Sequence, residues 1–116
     1  MTGRKRIEVV FFVTESGVAP VREWLKGLSR EDRRIIGEDI KTVEFGWPIG
    51  MPVCRPLKKG LYEVRSTLEN RIARVLFVID DGEMVLLHGF IKKSGATPLG
   101  DLKLARQRQR EWESFK

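Results

Sequence analysis

Residues 74–93 read RVLFVIDDGEMVLLHGFIKK. Two apolar runs rich in branched side chains flank Asp81-Gly82. That dipeptide favours the left-handed backbone that a two-residue hairpin turn requires. The pattern predicts an antiparallel hairpin in which Arg71–Ile79 returns as Met84–Lys93. A two-residue turn pairs Ile79 with Met84, Phe77 with Leu86, Val75 with His88, Arg74 with Gly89 and Arg71 with Lys92. Directly paired residues share a sheet face. One face then carries Ala73, Val75, Phe77, Leu86, His88 and Phe90, and the other carries Arg74, Gly89, Ile91 and Lys93. On this register Arg74 and Lys93 point the same way, with Gly89 leaving room for a ligand. A one-residue bulge would exchange the faces.

Upstream, Ile7–Val13 reads as a strand buried on both faces, broken by Gly17. Pro20 then opens a short helix whose Val21, Trp24, Leu25 and Leu28 form one apolar stripe. Ser29 and Asp32 resemble a capping pair starting a second helix, with Ile36, Ile40 and Val43 buried and an end near Phe45. Gly46–Gly60 contains three prolines and predicts a long irregular loop, anchored by Trp47, Ile49, Met51, Val53 and Leu57. Leu61–Arg65 alternates as a further strand. After the hairpin, Pro98 opens a last helix through Trp112, with Thr97 as its cap and RQRQRE as a solvated face. The expectation is one α+β domain over residues 1–116, in the order β-α-α-β-β-β-α, with an antiparallel sheet covered on one face by helices.

The 116 residues carry a formal charge of +6. Residues 55–74 and 88–116 contribute +4 each, while 75–87 contribute −3. If the two basic segments meet in space, they make a positive field suited to a polyanion such as nucleic acid. The longest apolar runs, Val9–Val13 and Val75–Ile79, are far too short to span a membrane, and no signal peptide is read. One cysteine, Cys54, allows no internal disulfide and suits a reducing compartment, so the expected location is cytoplasmic. With one histidine and one cysteine, a zinc centre built from several such residues is excluded, and no phosphate-binding glycine loop or nucleophile elbow is present. No metal or other cofactor is expected.

RNA cleavage needs neither. The ribose 2′-OH is a built-in nucleophile, and cations can orient the phosphate and stabilise its transition-state charge. Arg74, Lys92 and Lys93 are the candidates for that site, and a lysine among like charges can serve as a base. His88 is the other titrating candidate, although this register turns it toward the apolar side. The alternative is that Arg74 pairs with Glu63 or Glu69 while the lysines face water.

The strings GLYEVR (60–65), RVLFVID (74–80) and LLHGFIKKSGATP (86–98) resemble the signature of the RelE superfamily of toxins, nearest to its phage-derived, HigB-like branch. The resemblance implies a type II toxin: an mRNA interferase cutting messages at the ribosome, neutralised by a cognate helix-turn-helix antitoxin. It aligns Arg74 with the family's phosphate-stabilising arginine, Lys92 and Lys93 with its catalytic basic pair, and Arg65 with an RNA-supporting arginine. The chain departs from RelE where Leu61 and Glu63 replace strand lysines, with Lys58 and Lys59 as substitutes from the preceding loop. A C-terminal tyrosine is also missing; Trp112 and Phe115 are the aromatic residues there. Two other readings keep the fold: a gyrase poison, as in the ParE branch, and a non-catalytic nucleic-acid-binding module. On the first reading, Arg74→Ala or Lys93→Ala is expected to abolish toxicity with the fold intact.

Overall fold

The computed structural model describes residues 4–92 and 97–115. Asp81 and Gly82 take φ of 51° and 78°, and this left-handed pair joins β4 (Arg71–Asp80) to β5 (Glu83–Lys92) as the sequence predicts. Pairing runs as expected from Asp80 opposite Glu83 to Phe77 opposite Leu86. There the register shifts: His88 is opposite Leu76, and Leu87 is the extra residue. Beyond the bulge every pair moves by one, so Arg74 faces Phe90, Val75 faces Gly89 and Ile72 faces Lys92. The two faces are thereby exchanged relative to the uninterrupted register.

Five strands make a mixed sheet in the order β1-β5-β4-β3-β2. β3 (Leu61–Leu68) lies antiparallel to β4, and β1 (Glu8–Phe11) runs parallel to β5. The expected all-antiparallel sheet is therefore corrected at one edge. The other edge is β2 (Cys54–Pro56), a strand inside the stretch read as wholly irregular. Pro56 is tolerated there because an edge strand need not donate on both sides.

Helices cover both faces rather than one. α1 (Pro20–Lys26) and α2 (Arg30–Gly46) place Val21, Ile36, Ile40 and Val43 against Val64, Val75, Phe77 and Leu86. Ser29 caps α2 by accepting from the Asp32 amide at 3.1 Å. α3 (Leu99–Ser114) covers the opposite face, over Leu61, Leu76, Val78, Val85 and Leu87. Trp47, Ile49, Val53 and Leu57 anchor the long connection as expected, whereas Met51 is exposed. No helix among the described residues is long and apolar enough to cross a membrane.

Gly89 does leave room, but for a side chain of this protein. A Cβ there would lie 2.4 Å from Cε3 of Trp24, so the indole of α1 rests on the bare backbone of β5. Gly89→Ala is expected to lower unfolding stability by about 1–3 kcal/mol through overpacking, measured by urea denaturation. Trp24→Leu in the same chain should recover part of that loss.

Candidate nucleic-acid interface

The bulge decides what meets beneath α3. By pairing, Glu63, Arg74 and Leu76 share the α3 face of the sheet, and the bulge brings His88, Phe90 and Lys92 onto it. Glu63 is fully buried, and Arg74 beside it is 2% exposed. Arg74 Nη1 donates to both Glu63 oxygens, at 3.1 and 3.3 Å. From the edge strand, Arg55 Nη2 lies 3.2 Å from Glu63 Oε1, and the Thr97 hydroxyl donates to Oε2 at 2.9 Å. A buried carboxylate is tolerated only when paired and hydrogen-bonded in this way. Two guanidiniums, Arg74 and Arg55, thus share one carboxylate.

A cleft of about 660 Å³ opens over this cluster, between β2 and α3. Arg55, Lys58 and Arg106 supply its charge, Pro56, Leu57 and Leu102 its apolar wall, and Thr97 its rim. Among the described residues that line it there is no carboxylate or imidazole. Its two walls are tied together: Arg106 Nη2 donates to the Lys58 carbonyl and Gln109 Nε2 to the Lys59 carbonyl, both at 2.9 Å. Farther along α3, Arg108 Nη1 donates to the Leu87 carbonyl at 2.9 Å and Trp112 Nε1 to Asp80 at 2.6 Å. Burial pulls the Arg108 guanidinium below its usual pKa. Arg106, Arg108 and Gln109 of RQRQRE thus form a seam between helix and sheet, while Gln107 and Arg110 are exposed as expected, and Trp112 packs the helix.

Residues 23–110 match the family described as phage-derived protein, Gp49-like. The chain belongs to that family. Gp49-like proteins are RelE/HigB-type toxins of toxin–antitoxin systems. Compared with curated proteins, the chain finds no match. The matched stretch contains both walls of the cleft and the buried Glu63–Arg74 pair.

In this Gp49-like chain the residues expected from sequence divide into groups. Lys58 lines the cleft, and Lys59 lies beside it in a shallow groove with Arg106 and Arg110. Arg74 sits under the cleft and is held by Glu63, the alternative weighed from sequence. Lys92, on the strand end, shares Arg74's face, the position the uninterrupted register assigned to Lys93. Lys93 itself lies outside the described residues. Arg65, although paired with Arg74, lines a separate cleft with Ile35, Asp39 and Val53 at the end of β2. His88 is turned toward α3, not toward α1 and α2. Its Nε2 lies 2.6 Å from Asp101 Oδ1, and its Nδ1 lies 3.4 Å from Arg108 Nη1. Both ring nitrogens are thus engaged. Thr97 serves Glu63 instead of capping α3. Sequence reading missed Arg55 and Arg106 as site residues. A basic residue three positions before Lys58 and another in the last helix were the available signals.

Two predictions concern this cluster. Because Arg74 is buried against Glu63, Arg74→Ala is expected to cost about 3–5 kcal/mol of unfolding free energy in urea denaturation, contrary to the intact fold expected from sequence. Cys54 is buried beside the same carboxylate; desolvation and the Glu63 charge push its thiol up to about 11. Iodoacetamide at mildly alkaline pH should leave Cys54 unmodified in the native protein and alkylate it after unfolding, read by mass spectrometry.

Proposed function

We propose that this Gp49-like toxin is a metal-independent mRNA interferase that cuts messenger RNA at the ribosome and is neutralised by a helix-turn-helix antitoxin. The observation that carries this reading is the cleft between β2 and α3, where Arg55, Lys58 and Arg106 face an open space. Its floor adds the Arg55–Glu63–Arg74 cluster. Such fixed cations in a partly dehydrated cleft favour the extra charge of the phosphorane-like transition state. The substrate supplies its own nucleophile, the 2′-OH.

In this mechanism Arg55 and Arg106 hold the scissile phosphate. The 2′-OH releases its proton to solvent water as its oxygen closes on phosphorus, the bond to the 5′-oxygen breaks, and the Lys58 ammonium protonates that departing oxygen, leaving a 2′,3′-cyclic phosphate. Arg74 acts from below by holding Glu63, and therefore Arg55, in place. Lys59 extends the basic path along α3, Lys92 extends it at the end of β5, and Arg65 guides RNA at the β2 end; Lys93, outside the described residues, is kept as a candidate from the sequence.

A second reading draws on the burial of Arg74. With that guanidinium held by Glu63, and no carboxylate or imidazole among the described residues lining the cleft, the same fold would bind nucleic acid or poison gyrase without cutting RNA. Induced expression in a bacterial host, with mRNA 5′ ends mapped by primer extension, separates these readings. The interferase reading predicts growth arrest, new cuts in translated messages, relief by the antitoxin, and a loss of cutting of at least about a hundredfold in Lys58→Ala. Arrest with intact messages and a DNA-damage response would mark a gyrase poison. Intact messages without that response would mark a binding module.

A further inference from the structure

β1 is an outer strand of the sheet, with β5 on one side and no strand on the other. Glu8 and Phe12 donate their amides inward, to the Gly82 and Leu86 carbonyls at 3.0 and 3.1 Å. Alternation along an extended strand therefore aims the amides of Ile7, Val9, Phe11 and Val13 outward, where a further strand would lie. One residue of α2 receives the first two. The Glu44 carbonyl accepts from Arg6 at 2.8 Å and from Ile7 at 3.3 Å. The Glu44 carboxylate accepts from Val9 at 2.8 Å. A single glutamate thus stands in for a neighbouring strand along the first half of β1.

A carboxylate in this place is unfavourable for stability alone. Glu44 is 7% exposed, and its ion pair among the described residues is with Lys5, 3.6 Å away on a partly exposed side chain. Burying a charge with so little compensation is costly, and an apolar residue would cover the end of α2 more cheaply. What the carboxylate adds is an acceptor at the strand edge that also occupies the path of an incoming strand. Open edges recruit other chains, and charge pointed into the edge is one way natural sheets prevent it.

The chain that fits the unguarded edge is a second copy of this one. A two-fold axis at Phe11 sets Phe11 against Phe11 and Val9 against Val13 of the other copy, antiparallel. Val9, Phe11 and Val13 share one sheet face by alternation, and Val13 is 43% exposed. The same register carries the basic Lys5 and Arg6 of each copy alongside Glu15 of the other. The edge is therefore self-complementary in both apolar and charged groups, as a two-fold interface requires. With Glu44 in place the Val9 amide is already taken, and the carboxylate lies where Val13 of the other copy must come. Only the Phe11 pair remains, and one pair does not hold a strand.

We propose that Glu44 is an edge guard: by accepting the Val9 amide it withholds β1 from a second copy of this chain and keeps the protein monomeric. The guard is independent of what the β2–α3 cleft binds, because β1 and β2 are the two opposite edges of the sheet.

Size-exclusion chromatography with light scattering, over about a hundredfold range of protein concentration, tests the guard. Glu44→Ala keeps the main-chain bonds to Arg6 and Ile7 and is expected to rise about twofold in mass with concentration, while wild type stays at the monomer mass. Glu44→Gln retains an acceptor for Val9 and should behave as wild type. Val13→Pro removes an outward amide at an exposed position, so adding it to Glu44→Ala should restore the monomer mass. Near-UV circular dichroism establishes that each variant is folded. Hydrogen exchange in wild type reads the guard without any substitution: the Val9 amide is expected to exchange at least about tenfold more slowly than that of Phe11. A folded Glu44→Ala that stays monomeric, equal association by Glu44→Gln, or no reversal by Val13→Pro would overturn the guard. So would a wild type that dimerises through β1. Equal exchange at Val9 and Phe11 would overturn it as well, whether or not Glu44→Ala folds.

Discussion

The fully buried Glu63 carboxylate is the constraint on which the site depends. Its charge must be balanced inside the protein. The balance comes from three directions: Arg74 on the neighbouring strand, Arg55 on the edge strand, and Thr97 just before the last helix. Those contacts fix the edge strand and the entry to α3 relative to the sheet, and so fix the two walls of the cleft. They also divide labour between the arginines. Arg74 becomes a support, and Arg55 is left half-turned toward the opening.

This explains why the candidate site lies a short distance from where the charge pattern and family likeness place it. The two basic segments do converge, one through Arg55 and Lys58 and the other through Arg106. The strand cations are the less accessible part of that convergence. A likeness to RelE-type toxins is consistent with the α+β fold of this chain. It does not carry the effect of a glutamate at a position where RelE has a lysine, and here that glutamate occupies the strand arginine.

The legible parts of the fold were those set by local chemistry. Asp81-Gly82 specifies its turn by backbone preference, Ser29 its helix by capping, and Val21 to Leu28 their buried stripe by spacing. Leu87 illustrates the limit. A bulge adds one residue without any distinctive residue type, since Leu86 and Leu87 are equally apolar, yet it reverses every side chain beyond it. The three residues of β2 were hidden for another reason: proline and glycine around them signal a loop, and only pairing with β3 makes them a strand. The arginines of α3 read as solvated because a charged side chain aimed at a backbone carbonyl has no sequence signature. Arg106 and Arg108 find their acceptors on the Lys58 and Leu87 carbonyls, distant in sequence and adjacent only after folding.

A crystal structure of the protein bound to a 2′-O-methyl dinucleotide tests the central claim most directly. The account predicts a phosphate between Arg55 and Arg106, with Arg74 still donating to Glu63. A phosphate contacted by an Arg74 that has left Glu63, or a ligand bound away from the β2–α3 cleft, would contradict it.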